Sequence, residues 1–110
     1  MDKTHFKVER DGWYIEIEIL DLAKRPNWEI RCGITRSRED GSEAAHRGNR
    51  FYVSPEIAER TRLDRLSEAR RRDFLVAAAK RAVLRQIEEI FADPGDGLDA
   101  LRPLSAADLA

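Results

Sequence analysis

The sequence predicts an α+β fold: a four-stranded antiparallel meander with one face covered by a long C-terminal helix, and a short helix before it. Three observations support this: apolar and polar residues alternate over 13–19 and 28–35, an Asp-Gly pair precedes the first alternating segment, and apolar residues over 68–92 recur at helical spacing. The 110 residues, 42% of them hydrophobic, are enough for one core. We expect a single domain over residues 1–93 and a loosely ordered acidic tail over residues 94–110.

The first two strands should form a tight hairpin. Asp11-Gly12 suits the two central positions of a type I′ turn, which both require a positive φ. That turn places Val8 opposite Ile15 and Phe6 opposite Ile17. The isoleucines then face the core, and the acidic residues between them face water.

The next segment, WEIRCGIT, repeats the alternation and predicts a third strand with Cys32 as a small core residue. After it we expect a long polar loop over residues 37–49 and a short last strand over residues 50–53. His46 lies near several carboxylates in this loop, and a histidine beside a carboxylate can act as a general base. Polar loops of this composition are more often solvated connectors, so we expect no catalytic residues and no enzyme activity, and recognition of a ligand by the loop stays an alternative.

Two helices should follow. Ser54-Pro55-Glu56 combines a capping side chain, a proline at the first helical position and an early acid, which predicts a short helix to about Thr61. A break over residues 61–67 then allows Ser67 to cap a long helix from about Glu68 to Ala92. One side of this helix should cover the sheet: Leu75, Val76, Ala79, Ala82, Val83, Ile87 and Ile90.

Composition excludes several functional classes. A single cysteine permits no intrachain disulfide, and the motifs for dinucleotides, Walker-type nucleotide sites, zincins and thiol redox chemistry are missing. His5 and His46 are far apart in sequence, so we expect neither a metal site nor a cofactor. No segment approaches the roughly 20 apolar residues of a membrane span, and the N-terminal residues MDKTHFKVER contain no apolar segment of signal-peptide length. We expect a cytoplasmic protein without a membrane partner.

The charges are strongly sorted. Residues 59–85 contain nine basic and four acidic side chains, whereas residues 86–110 contain one basic and six acidic ones. The basic start of the long helix, followed by an alanine-rich stretch, resembles the final helix of double-stranded RNA-binding domains. That resemblance implies phosphate contacts from Arg70, Arg71, Arg72 and Lys80. The N-terminal helix of that family is missing here, and TRLDRLSEA replaces its glycine-rich approach.

The outer side of the long helix contains an unusual apolar patch, because Phe74, Ala77 and Ala78 lie among arginines. Either the short helix or the tail covers this patch, or a partner binds it, or the phase assigned to the helix is wrong. We expect a small non-catalytic protein-interaction domain that self-associates. Its candidate partner-binding residues are Phe74, Ala78 and Arg81 on the helix, or Tyr14 and Arg31 on the open sheet face. Binding of double-stranded RNA or DNA is the alternative.

Overall fold

The structure is a computed structural model that describes residues 4–92 and 101–109. Its elements form an α+β fold, which confirms the predicted class. They are β1 (His5–Arg10), β2 (Trp13–Lys24), β3 (Trp28–Arg38), β4 (Ala45–Tyr52), α1 (Pro55–Arg60), a 3-10 turn (Leu63–Arg65), α2 (Glu68–Ala92) and β5 (Leu101–Pro103).

The sheet has five strands in the order β1-β2-β3-β4-β5, not the four that we predicted. The first four are antiparallel, and β5 joins the free edge of β4 in parallel, with Leu101 beside Arg50 and Pro103 beside Tyr52. Three residues that include a proline have no alternating pattern, so sequence periodicity could not identify this strand. Its pairing depends on an edge that only the folded sheet provides.

The predicted register of the first hairpin is confirmed. Val8 pairs with Ile15 and Phe6 pairs with Ile17. Asp11 has a φ of 53° and Gly12 a φ of 79°, as a type I′ turn requires. The turn chemistry of two residues therefore determines which face of β2 is buried.

β2 is longer than the alternation over residues 13–19 indicates, because the strand continues past a β-bulge between Ile19 and Asp21 to Lys24. One extra residue, Leu20, shifts the alternation by one position. Beyond the bulge, Leu22 lies opposite Ile30 and again faces the core cluster. The turn between β2 and β3 is thereby reduced to residues 25–27.

The predicted long loop over residues 37–49 was wrong. β3 continues to Arg38 and β4 begins at Ala45, which leaves a connection of residues 39–44. The sequence pattern did not predict the start of β4, because the core-facing side of this strand includes two polar residues, Arg47 and Asn49. Asn49 is completely buried: its Oδ1 accepts a hydrogen bond from Nε of Arg102 in the tail at 2.9 Å, whereas its Nδ2 has no hydrogen-bond partner among the described residues.

The core lies between the inner face of the sheet and the helices. All seven residues of the predicted α2 stripe are buried, and so is Cys32, as expected. The predicted helix starts are confirmed: the hydroxyl oxygen of Ser54 accepts a hydrogen bond from the Ile57 N–H at 3.3 Å, and that of Ser67 accepts one from the Arg70 N–H at 3.3 Å. The break between the helices is the 3-10 turn, whose Leu63 is fully buried.

Residues 101–109 differ from the loosely ordered tail that we expected. Leu104 and Leu109 are only 2% and 4% exposed and belong to the core cluster, whereas Leu101 is 46% exposed. The remaining residues assigned to the tail, 94–100 and 110, lie outside the described residues. Composition alone predicted disorder here, but two buried leucines and a buried acid provide the contacts that order a segment.

Candidate functional site

The apolar patch predicted on α2 is covered by the chain itself. Ala78 is completely buried and Phe74 is half-buried against the core cluster. Arg81 is exposed, but its Nη1 donates a hydrogen bond to the backbone oxygen of Asp108 at 2.9 Å. The tail therefore occupies the helix face that we considered for a partner, and Ala78 is inaccessible to one.

Asp108 fastens the tail to α2. It is only 3% exposed and receives a bidentate pair from Arg85, with Nε 3.0 Å from Oδ1 and Nη2 2.7 Å from Oδ2. The backbone N–H of Ser105 also donates to it at 2.8 Å. Burial alone would raise the pKa of Asp108, but these hydrogen bonds outweigh burial and hold the pKa below its ordinary value. The carboxylate is thus ionised and paired inside the fold.

The predicted phosphate-binding residues do not share one surface. Arg70 and Arg72 are exposed, but two positions at about 100° each place them roughly 200° apart around the helix. Arg71 is half-buried, with its Cζ 4.5 Å from the centre of the Trp28 ring and its Nη1 3.2 Å from the Leu66 oxygen. The ammonium group of Lys80 lies 5.1 Å from the centre of the Phe6 ring, near β1. Arg70, Arg71, Arg72 and Lys80 are therefore not gathered on one side of α2.

The candidate general base is separated from the loop carboxylates. His46 belongs to β4, where its Nδ1 lies 2.9 Å from the Thr35 hydroxyl oxygen. In the loop, a hydrogen bond from Ser42 lowers the pKa of Asp40, and Glu43 pairs with Arg38 at 2.8 Å. Among the described residues no group of three or more acidic, histidine or cysteine side chains is placed to hold a metal ion.

Cys32 has the properties of a structural residue. Its side chain is completely buried, and that burial raises the pKa of its thiol to about 12. A thiol needs to ionise before it acts as a nucleophile, so this environment suppresses its reactivity.

The outer face of the sheet is open, because α1, α2 and the 3-10 turn all pack against the inner face. The two most exposed large apolar side chains of the described residues both belong to the outer face: Leu20 is 50% exposed and Leu101 is 46% exposed. Leu20 lies above Gly33, where a Cβ atom would be 3.7 Å from its Cδ1. Tyr14 and Arg31, predicted for partner binding, lie on this face too, half-buried and exposed respectively.

Charges on the outer face are ordered by strand. Asp21, Arg31, Arg50 and Leu101 are successive neighbours across β2, β3, β4 and β5. The other outward acids of β2 are Glu16 and Glu18, while Arg31 makes no ion pair with another described residue. The outward acids of β2 thus lie beside the outward arginines of β3 and β4, and Asp21 also pairs with Arg25 at 2.8 Å.

A cleft of about 530 Å³ opens on the other side of the molecule, between α1, the 3-10 turn and the β2–β3 turn. We call it the α1 cleft. Its apolar wall consists of Trp28, Val53, Pro55 and Ala58. Its polar rim consists of Lys24, Asn27, Glu59, Arg62, Asp64 and Arg65. Sequence reasoning missed this cleft, because its walls come from segments 25 or more residues apart.

One acid of the α1 cleft, Asp64, already has two hydrogen-bond partners within the chain. The Oδ1 of Asp64 accepts hydrogen bonds from Trp28 Nε1 at 3.0 Å and from Lys24 Nζ at 3.1 Å. These two hydrogen bonds lower the pKa of Asp64, and the bond from Trp28 has the larger effect. Arg62 and Arg65 make no ion pair with another described residue, so the rim has two uncommitted guanidinium groups.

Arg62 has an unusual backbone conformation for an arginine. Its φ of 54° and ψ of 41° are left-handed, which costs a residue with a Cβ about 1 kcal/mol or more. The local turn imposes it: the Arg62 N–H donates to the Glu59 oxygen at 3.1 Å, and the Arg65 N–H donates to the Arg62 oxygen at 3.0 Å. Glycine would fit this position without strain, so the sequence retains a side chain where the backbone disfavours one.

A second cationic cluster was also missed. The Cζ atoms of Arg36 and Arg38 lie 4.4 and 3.8 Å from the centre of the Trp13 ring, and Arg36 is also 4.6 Å from that of Phe91. Arg38 lies directly opposite Trp13 on the neighbouring strand, and this pairing brings the Arg38 guanidinium and the Trp13 ring together. Such stacking stabilises each partner by about 0.5–2 kcal/mol. We assign this cluster to packing at the end of α2.

Comparisons with known proteins give no assignment: no protein-family model, curated protein or solved structure matches this chain. Within the described residues, no helix is both long and apolar enough to cross a membrane.

Proposed function

We propose that this chain is a non-catalytic interaction domain that binds a second copy of itself through the outer face of the sheet. The observation that supports the proposal is the position of Leu20 and Leu101, the most exposed large apolar side chains of the described residues, on this one face. Exposed apolar side chains gathered on one surface are characteristic of an interaction site. The cytoplasmic location and the lack of catalysis stay predictions from the sequence.

Charge complementarity favours a second copy over a different partner. Consider a two-fold axis that runs parallel to the strands between β2 and β3. It places β2 of one copy over β3 of the other, and residues paired within the sheet then face each other between copies. Because Asp21 and Arg31 are such a pair, each would meet its opposite charge in the other copy. One patch therefore satisfies itself, as a two-fold interface requires.

The available area is sufficient. Five strands at about 4.8 Å spacing and about eight residues at about 3.4 Å give roughly 650 Å² of projected face. Stable interfaces bury about 800 Å² of accessible surface per partner, and a corrugated face exposes more than its projection. Two leucines, Ala23 and Tyr52 supply apolar contact around the arginines.

The test is sedimentation equilibrium of the wild-type chain, Leu20→Lys and Ala69→Lys, from about 1 to about 300 µM. Both substituted residues are exposed, but Ala69 lies at the start of α2, away from the outer face. We expect a wild-type dimer, a monomer for Leu20→Lys and a dimer for Ala69→Lys, with matching circular dichroism spectra. A monomeric wild-type chain at the highest concentration, or a dimer that Leu20→Lys leaves intact, would refute the proposal.

A charge exchange tests the arrangement itself. Arg31→Asp places acids opposite each other and should weaken association, whereas the double variant Arg31→Asp with Asp21→Arg restores opposite charges and should recover it. Recovery follows because like charges across an interface are costly while exchanged pairs are again complementary. If the double variant associates no better than the single one, this two-fold geometry is incorrect.

A further inference from the structure

We propose that the α1 cleft binds one nucleotide of a single-stranded nucleic acid, with its phosphate on Arg62 and Arg65 and its base against the apolar wall. This site lies across the molecule from the outer sheet face and is independent of self-association. It is also separate from the basic start of α2. There Arg70 and Arg72 point in divergent directions and do not form one surface for a duplex.

The size and the shape of the α1 cleft suit a nucleotide. Its volume of about 530 Å³ lies within the range of small-molecule sites. Pro55 and Ala58 give one side an apolar surface for a planar base, next to the Trp28 ring, over which Arg71 Cζ lies at 4.5 Å and Lys24 Nζ at 5.8 Å. Unstacked bases in single strands commonly pack against such surfaces, whereas bases within a duplex are inaccessible to them.

The charge of the rim favours a phosphate. Asp64 is neutralised by Lys24 at 3.1 Å, which leaves Glu59 as the one other carboxylate on the rim of the described cleft. Arg62 and Arg65 are exposed and have no ionic partner among the described residues. Guanidinium groups match phosphate oxygens through two parallel hydrogen bonds, which makes arginine well suited to this contact.

The backbone at Arg62 supports a binding role. Its left-handed conformation favours glycine, yet an arginine occupies this position and lines the α1 cleft. Strained positions of this kind are concentrated at binding sites, where the side chain is worth more to function than to folding. Arg62→Gly should therefore raise the melting temperature while it weakens binding.

The experiment measures fluorescence anisotropy of a labelled 12-nucleotide oligothymidylate titrated with the full chain at about 50 and about 200 mM salt. The variants are Arg62→Gly and Arg65→Gln, and the matched control is Arg31→Gln, which removes one exposed positive charge from the opposite face. We expect each cleft variant to weaken binding about tenfold and to lower the salt slope by about one, and the control to change affinity less than about twofold.

Several results would overturn the proposal. The first is an absence of binding at low salt. The second is an equal affinity for the single strand and for a duplex of the same sequence. The third is an equal loss of affinity in the control and in the cleft variants. Both of these results indicate non-specific attraction. Competition separates the two sources of a nucleotide phosphate: thymidine monophosphate that displaces the strand at concentrations near the oligomer's own Kd would assign the cleft to free nucleotides instead.

Discussion

Asp108→Asn should loosen the C-terminal segment from α2. The substitution keeps the size of the side chain but removes the charge that accepts two hydrogen bonds from Arg85, at 2.7 and 3.0 Å. A net contribution of about 1.5–3 kcal/mol is typical of hydrogen bonds to charged groups, but Arg85 is 45% exposed, so water compensates in part. We expect a loss of about 2 kcal/mol, which corresponds to about 8 °C in melting temperature for a domain of this size.

The assay is urea unfolding at pH 7, followed by tryptophan fluorescence and circular dichroism. Glu39→Gln is the control, because it removes one exposed acid from the β3–β4 loop and should change the free energy of unfolding by less than about 0.5 kcal/mol. The double variant Asp108→Asn with Arg85→Gln should lose less free energy of unfolding than the sum of the two single variants. We expect a difference of about 1 kcal/mol, because the two side chains interact. Additive losses, or an Asp108→Asn variant as stable as the control, would refute the reasoning.

The contribution of Asp108 should also depend on pH. Because its pKa is lowered in the folded chain, the unfolded chain binds a proton at higher pH than the folded chain does. The stabilisation is complete above the ordinary pKa of about 3.9 and disappears as pH falls through the lowered value. The stability difference between wild type and Asp108→Asn should therefore shrink as pH falls below about 4. A difference that stays constant from pH 7 down to the pH at which the wild-type chain unfolds would contradict the pairing.

Three further predictions concern other parts of the fold. Leu104→Ala, at a residue only 2% exposed, should destabilise the domain by about 2–3 kcal/mol in urea unfolding, and a loss under about 0.5 kcal/mol would mean that the tail is not part of the core. Cys32, with a thiol pKa of about 12, should not react with Ellman's reagent at pH 8 until denaturant is added; rapid native reaction would disprove its burial. Gly12→Ala should cost about 1–2 kcal/mol because of its φ of 79°, while Gly33→Ala, whose Cβ would be 3.6 Å from His46 Cε1, should change stability by less than about 0.5 kcal/mol; equal losses would show that φ is not the cause.

The candidate sites were only partly predictable. Tyr14 and Arg31 were assigned to the open sheet face from alternation, and the structure places them there. The exposure of Leu20 could not be anticipated, because a β-bulge interrupts the alternation at that residue. The α1 cleft gave no local signal, although an arginine at a position that favours glycine is visible once the backbone is known.

The sequence by itself determined the strands of the first hairpin, the core-facing side of β2 and β3, both helix starts and the buried stripe of α2. These features follow from turn chemistry, capping residues and periodicity, all of which act over a few neighbouring residues. Only the tertiary structure decided that β5 extends the sheet, that Asp108 of the tail binds Arg81 of α2, and that Asp64 joins Lys24 and Trp28. Each of these depends on residues 16 or more positions apart, whose meeting is decided by the packing of the whole chain.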